Sequence, residues 1–186
     1  PMRTSTGVST EAVFILHNMV RKLRQKYEPE YIAAVYESLG PSFRSEEFTE
    51  YKANRAETPP ELLEQIPLVR RLLEAMRIPV LEYERYEADD VIGTLAVRAR
   101  DAGMEAVIIS SDKDMLQLVG GGVTMLNPAK EDATYDRDGV KEFMGVWPEQ
   151  VADFLALVGD SVDNIPGVAG IGKKGAADLL AKYGSI

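Results

Sequence analysis

Residues 106–114 read Ala-Val-Ile-Ile-Ser-Ser-Asp-Lys-Asp, an apolar run that stops abruptly on two acids. Ala106–Ser110 is a short continuous apolar stretch with β-branched residues, which predicts a strand buried on both faces. A short helix is expected at about 112–119, and after the Gly120–Gly122 turn a further strand over Val123–Leu126. Upstream, Asp90–Ala102 has helical spacing, with Val91, Leu95 and Ala99 on one stripe, and Gly103 ends it. Ile78–Leu81 predicts a strand, and Thr58-Pro59-Pro60-Glu61 predicts a capped helix start running to about Arg77 with a bend at Pro67. Tyr31–Tyr36 is another short apolar run, and 11–26 is an amphipathic helix with a basic last turn. Strands alternating with helices predict an α/β fold, a parallel sheet flanked by helices with right-handed crossovers. From about 138 the pattern is helical, with breaks near Gly145 and through 159–172. The expected organisation is an α/β core over 1–137, including a polar segment at about 41–57, and a helical subdomain over 138–186.

Composition narrows the chemistry. The chain has 186 residues, 45% hydrophobic and 27% charged, enough for a packed core and too apolar for disorder. With no cysteine, disulfides, thiolate metal sites and Cys nucleophiles are excluded, and the single histidine, His17, removes most Ser-His-Asp and His-rich zinc chemistry. No apolar run approaches a membrane span and no signal peptide is apparent. Carboxylate chemistry with a hard metal remains.

The acids fall at informative places. Each of three predicted strands runs into acid: Glu37 after the first, Glu87, Asp89 and Asp90 after the second, Asp112 and Asp114 after the third. In a parallel sheet these positions emerge at one edge, where open α/β folds put their sites. Alone, each has a structural reading: Asp89 or Asp90 as a helix cap, Ser111 with Asp114 as a capping box, Glu37 as a solvated loop acid. Together they crowd one crevice, and such repulsion calls for cations; oxygen-only ligands point to Mg²⁺ or Mn²⁺. Asp112-Lys113-Asp114 lacks the glycine and spacing of an EF-hand loop. The 41–56 stretch interleaves Arg44, Lys52 and Arg55 with Phe43, Phe48 and Tyr51. The tail carries Gly159-Asp160-Ser161-Val162-Asp163-Asn164-Ile165-Pro166-Gly167-Val168-Ala169-Gly170-Ile171-Gly172-Lys173-Lys174. Asp160 and Asp163, three apart, face one cation if the turn is helical. The glycine run then meets a helix N-terminus with two lysines, a place for a phosphate. It is no dinucleotide fingerprint, because the glycine order is wrong and it follows a helix.

Four runs, F-R…E-Y-K-A-N-R (43–55), Y-E-A-D-D-V-I-G-T-L-A (86–96), S-D-K-D-M-L-Q-L-V (111–119) and L-V-G-D-S-V-D-N-I-P-G-V-A-G-I-G-K-K (157–174), closely resemble the 5′-nuclease domain of bacterial DNA polymerase I, of the flap-endonuclease superfamily. The resemblance covers essentially the whole chain. It implies a PIN-like nuclease core and a C-terminal helix–three-turn–helix DNA-binding element. It implies a structure-specific 5′-3′ exonuclease and 5′-flap endonuclease that hydrolyses DNA by a two-metal mechanism in primer removal and repair. By the same resemblance Glu87, Asp89, Asp90, Asp112 and Asp114 match metal-binding acids, and Asp160 and Asp163 match the pair that opens the helix–three-turn–helix element. Lys52 and Arg55 match catalytic basic residues of the helical arch, with Arg44 and Tyr51 beside them on DNA. Gly167, Gly170, Gly172, Lys173 and Lys174 match the part expected to hold duplex backbone and a K⁺ ion.

Two Mg²⁺ or Mn²⁺ ions, DNA with a 5′ flap or a 5′ end at a duplex junction, a covalently linked polymerase domain and a bacterial cytoplasmic, nucleoid-associated location follow from the same source. Two departures stand out. Glu37 occupies a place where the family usually has Asp, and the family's first strand, with its metal-binding Asp, is missing from a chain that opens at Pro1. Rival readings are a DNA-binding fragment without catalysis, a related metal-dependent RNase and a small phosphoester hydrolase; the last has no use for Tyr51–Arg55 or for the tail. The net charge of −9 is no obstacle to DNA. Setting aside Glu37, Glu87, Asp89, Asp90, Asp112, Asp114, Asp160 and Asp163 leaves the rest of the chain close to neutral, with local basic surface.

Overall fold

A computed structural model describes residues 2–38 and 40–186. In chain order the elements are α1 (Glu11–Tyr27), β1 (Ala34–Val35), α2 (Phe43–Glu47), α3 (Pro60–Leu63), α4 (Ile66–Ala75), β2 (Val80–Leu81), α5 (Ala88–Asp101) and β3 (Ala106–Ile109). A 3₁₀ turn (Lys113–Leu118), β4 (Val123–Asn127), β5 (Ala133–Tyr135), α6 (Arg137–Met144), a 3₁₀ turn (Pro148–Gln150), α7 (Val151–Val158), β6 (Gly159–Asp160), β7 (Ile165–Pro166) and α8 (Lys173–Tyr183) follow. They form two compact units, one of Pro1–Ser38 with Ala56–Tyr83, the other of Leu39–Arg55 with Glu84–Ile186.

The first unit holds α1, α3, α4 and a two-residue parallel pair, β1 on β2, in register Ala34 with Val80 and Val35 with Leu81. Val20, Leu73 and Ile78 form its small core, packed by Leu16, Ile32, Val69 and Met76. The expected long helix over 58–77 is two helices. Pro59 occupies the cap position of α3, with φ −53 and ψ 136, so Thr58 falls outside the helix and the expected capping box does not form. Pro67 lies in the first turn of α4, where its missing N–H costs nothing. The break comes at Gln65, which is buried; its Oε1 accepts from Ala12 N at 2.8 Å and its Nε2 donates to Glu61 O at 2.8 Å. A buried amide that ties two helices is better satisfied at a helix junction than inside a helix.

The second unit carries the larger core. β3 and β4 pair in parallel from Ala106 with Val123 to Ile109 with Leu126, and β5 joins β4 antiparallel, Met125 opposite Tyr135. β4 is almost wholly buried, and Leu116, Val140, Val146, Val151, Phe154 and Leu180 pack around it. The α/β class and the parallel pairs agree with the sequence reading, but the strands do not make one continuous ladder. Among the described residues β1 pairs with β2 and β3 with β4, in separate sheets. β5 was not expected: three residues give no readable alternation, and its turn uses Glu131 and Asp132, both at positive φ. The buried line of α5 is Ile92 and Ala96, which pack into the core, rather than the stripe through Leu95, which is exposed.

The tail is helical with the expected break between Val158 and Lys173, and within that break β6 and β7 form a small antiparallel hairpin that the sequence did not predict. Two glycines allow it. A Cβ on Gly167 would lie 2.3 Å from the backbone C and O of Val158, and one on Gly159 would lie 2.4 Å from Gly167 N. Backbone packs directly on backbone here, and only glycine fits.

Candidate active site

The carboxylates of the second unit are positioned by helix and turn termini. Glu87 is the N-cap of α5 and Asp90 its third residue, where Asp90 Oδ2 accepts from Glu87 N at 3.1 Å. Acids here suit the positive end of the helix. Asp112 caps the 3₁₀ turn after β3 by accepting from Asp114 N at 2.9 Å, while Ser110 Oγ accepts from Asp112 N at 3.0 Å. The cap is therefore Asp112, not the Ser111–Asp114 box that the sequence suggested. Asp160 sits in β6, where its Oδ1 accepts from Val162 N at 2.8 Å.

Glu87, Asp90, Asp114, Asp160 and Asp163 each meet a base. Glu87, only 6% exposed, accepts from Lys52 Nζ at 2.8 Å, Ser42 Oγ at 2.9 Å and Tyr51 OH at 3.0 Å. Burial alone would raise its carboxyl, but these hydrogen bonds, led by Lys52, outweigh it and hold the group below the usual range. Arg44 clasps Asp90 with two bonds of 2.7 Å and thereby lowers its carboxyl. Tyr51 also reaches Asp163 Oδ2 at 3.3 Å, and Arg55 pairs with Asp163 Oδ1 at 2.5 Å. Burial, with donation to Glu87, pushes the Tyr51 phenol far above its ordinary value.

The segment that supplies these bases is fastened to the hairpin. Lys52 N donates to Asp163 O at 3.0 Å, Asn54 Nδ2 to Ser161 O at 2.9 Å, and Asn164 Nδ2 to Glu50 O at 2.8 Å. Lys52 adopts φ 57, a left-handed conformation costing an L-residue about 1–2 kcal/mol, and its backbone and side-chain bonds hold it there. Ser42, Asn54, Asn164 and Lys113 were not singled out from sequence. Only Lys113, between two candidate acids, carried a visible signal.

Lys113 Nζ bridges Asp160 Oδ2 and Asp114 Oδ1, the latter at 3.3 Å. Burial would lower this ammonium, yet the bond and charge of Asp160 and the charge of Asp114 raise it. Asp160 is 9% exposed; desolvation opposes its ionisation, but Lys113 and the backbone amides of Val162 and Asp163 lower it. Asp114 is raised, by burial first and then by Asp112, and its Oδ1 is buried with no hydrogen bond to satisfy it. A cleft of about 350 Å³ opens beside these groups, lined by Asp112, Lys113, Asp160 and Asp163 above Leu116, Met125, Tyr135 and Phe143.

The structure thus gathers Arg44, Tyr51, Lys52, Arg55, Glu87, Asp90 and Asp163 by direct bonds, and Asp112 and Asp160 at the cleft, with Asp114 tied to Lys113 beside it. Asp160 and Asp163 take different partners, Lys113 and Arg55, because the turn between them is a hairpin rather than helical. Asp89 is half-buried in the first turn of α5. Among the described residues no three Asp, Glu or His side chains converge as a preformed metal cluster; the acids are turned toward the bases. Glu37 is exposed and belongs to the first unit. Gly167 is consumed by packing against Val158, whereas a Cβ at Gly170 or Gly172 would meet nothing within 4 Å. Gly172 is the N-cap of α8, and Lys173 and Lys174 in its first turn are exposed.

A parallel α/β core with carboxylates at its helix starts and a basic, aromatic segment over them defines a class, the 5′-nucleases. The family model of the 5′-3′ exonuclease N-terminal resolvase-like domain matches residues 1–145, and that of the 5′-3′ exonuclease C-terminal SAM fold matches 146–186. The chain belongs to the 5′-3′ exonuclease family. It is 48% identical over 184 residues to DNA polymerase I of Pseudomonas aeruginosa, covering 99% of this chain and 20% of that protein. It is 40% identical to a 5′-3′ exonuclease of Aquifex aeolicus, covering all of this chain and 64% of that one. The chain spans about a fifth of the DNA polymerase I relatives it matches.

Among solved structures, the T5 D15 protein co-crystallised with metal ions superposes with a TM-score of 0.78 at 26% identity, over 91% of this chain and 67% of that one. The catalytic core of Rad2 in complex with DNA substrate shares the fold, with a TM-score of 0.60 at 20% identity, over all of this chain and 57% of that one. No helix among the described residues is long and apolar enough to cross a membrane.

Proposed function

We propose that this chain is the nuclease part of a metal-dependent 5′-3′ exonuclease and 5′-flap endonuclease that hydrolyses DNA phosphodiester bonds in primer removal and repair. The observation that carries the reading is the joining of Tyr51, Lys52 and Arg55 to the buried Glu87 and the half-buried Asp163. A single segment brings phosphate-binding cations to a carboxylate cluster, as a phosphodiesterase requires and a simple ion-binding protein does not.

The residues present fit divalent ions. All the donors are carboxylate oxygens, the preference of Mg²⁺ and Mn²⁺, and the buried Asp114 Oδ1 lacks a hydrogen-bond donor. Glu87, Asp89, Asp90, Asp112, Asp114, Asp160 and Asp163 would hold the ions. When bound, such ions activate water and neutralise charge on the scissile phosphate. The remaining work belongs to the chain. Lys52 and Arg55 pair with non-bridging phosphate oxygens and stabilise the charge that grows during transfer. Arg44 orients Asp90 through its two-pronged clasp, leaving that carboxylate ionised. Tyr51, protonated at any working pH, donates a hydrogen bond and offers its ring to a base of the 5′ strand.

Duplex binding falls to the tail. The first turn of α8 presents free backbone N–H groups, the positive end of the helix and two exposed lysines to a phosphate. A K⁺ ion in the Gly167–Lys174 region and a linked polymerase domain rest on the family resemblance. Recognition of duplex and 5′ strand by separate elements lets a nuclease choose a structure without reading bases.

The test is cleavage of a 5′-labelled flap by the full-length protein with Mg²⁺, with Mn²⁺ and with EDTA, beside an all-RNA flap. Release of short 5′ DNA products that EDTA abolishes is expected. DNA binding without cleavage in either metal, or preference for RNA, would overturn the reading.

A further inference from the structure

Lys113 is a cation set among the acids that the proposed function assigns to metal. It lies between Asp112 and Asp114 in the 3₁₀ turn, and its ammonium reaches across to Asp160 of the hairpin. Asp160 is 9% exposed, and a carboxylate so buried needs a counter-charge. Its Oδ1 is used by Val162 N, so Lys113 supplies the charge on Oδ2. The same ammonium lies 3.3 Å from Asp114 Oδ1, the oxygen that no hydrogen bond satisfies. One mobile positive charge therefore stands where the acids of two separate chain segments converge, beside a cleft open to solvent. The lysine side chain is 41% exposed, on a flexible stem, and has room to swing outward.

We propose that Lys113 is a resident counter-ion of the carboxylate site, which ties Asp114 to Asp160 without metal and gives way when a divalent ion binds, so that it sets the site's metal affinity. This rests on the metal-dependent reading above. Two charges compete for one set of oxygens. Like-signed charges a few ångströms apart repel strongly where solvent is partly excluded, so the lysine and the ion cannot share the site at full strength. Lys113 is a positioning residue in this account, for it acts on the acids and not on DNA.

A lysine that merely struts the two segments together makes the opposite forecast. Its removal would scatter the acids and weaken metal binding. Isothermal titration of the full-length protein with Mn²⁺ separates the two. Lys113→Met keeps the length and removes the charge, and it should bind Mn²⁺ about tenfold tighter than wild type, about 1.4 kcal/mol. Lys113→Arg keeps the charge and should stay within about threefold of wild type. In EDTA, Lys113→Met should melt below wild type, and saturating Mn²⁺ should close the gap. Unchanged or weaker Mn²⁺ binding by Lys113→Met would overturn the inference while leaving the metal site in place. A wild-type protein that takes up no Mn²⁺ would overturn both.

Discussion

The glycine-rich tail offers a prediction in which one motif splits into three behaviours. In Gly167→Ala the new methyl would sit 2.3 Å from Val158 C and O and 2.6 Å from Gly159 N. All are backbone atoms, so no rotamer change relieves the clash and the β6–β7 hairpin must lift from the end of α7. Overpacking in a well-filled region costs about 1–3 kcal/mol and sometimes more, and a backbone-on-backbone approach belongs at the upper end, near 3 kcal/mol. For a chain of this size 1 kcal/mol shifts Tm by roughly 2–4 °C, so the fall should be about 6–12 °C. Gly170→Ala meets no atom within 4 Å but must adopt φ +81, which costs about 1–2 kcal/mol. Gly172→Ala meets nothing and has an ordinary φ of −93, so its change should stay within about 1 kcal/mol. Thermal melts followed by circular dichroism rank the three, and amide exchange at Val162 and Asn164 reports whether the hairpin loosens. If Gly167→Ala melts within about 2 °C of wild type, the close packing argument is wrong.

Three further outcomes are expected. Asp112→Asn in the full-length protein should abolish Mg²⁺-dependent flap cleavage while binding persists, because the phosphate contacts lie elsewhere; cleavage and gel-shift assays on one flap decide it. Lys173→Ala with Lys174→Ala should weaken duplex binding and lower the slope of log K against log salt by up to about two phosphate contacts, sparing cleavage of a single-stranded 5′ end; equal losses on both substrates would contradict the duplex role. Arg44→Ala should destabilise the metal-free protein by about 1 kcal/mol at pH 7, discounted for a side chain 37% exposed. Because Arg44 depresses the Asp90 carboxyl below its usual 3.8, that stability is present above the unfolded value and is lost as pH falls through the folded one, so the urea melts of variant and parent should draw together as the pH falls below 3.8.

What the sequence made legible follows from which interactions are local. The strand at Ala106–Ile109 and the helix ends at Gly103 and Gly145 are written in runs of adjacent residues, and they read correctly. The acids after β3 and before α5 read as a site because their place in an alternating pattern fixes their side of the unit. What failed to read depends on distant partners. The buried Gln65 breaks a helix through a bond to Ala12, a contact no window of sequence contains. The hairpin at Gly159–Pro166 uses a glycine and a proline, residues that argue against strands, and forms because Gly159 and Gly167 allow two backbones to touch. The pairing of Asp160 with Lys113 and of Asp163 with Arg55 also follows from that same hairpin.

The charge of the chain takes on a different meaning once these pairs are known. A net charge of −9 describes a protein that should repel DNA at long range. Much of the excess lies in the candidate acids, and the basic side chains nearest to them, Arg44, Lys52, Arg55 and Lys113, are each already bonded to a carboxylate. In that arrangement the bases have little positive field left for a phosphate. Divalent ions on the acids would reverse the local sign twice over, cancelling the carboxylates and releasing their partners. On the proposed reading, attraction for DNA at this site would be conditional on metal, whereas Lys173 and Lys174, exposed on α8, would keep their charge in either state. A salt titration of binding in EDTA and in Ca²⁺, which binds oxygen ligands without supporting Mg²⁺ geometry, should show a steeper slope with the metal. Equal slopes would mean that the paired bases never leave their acids.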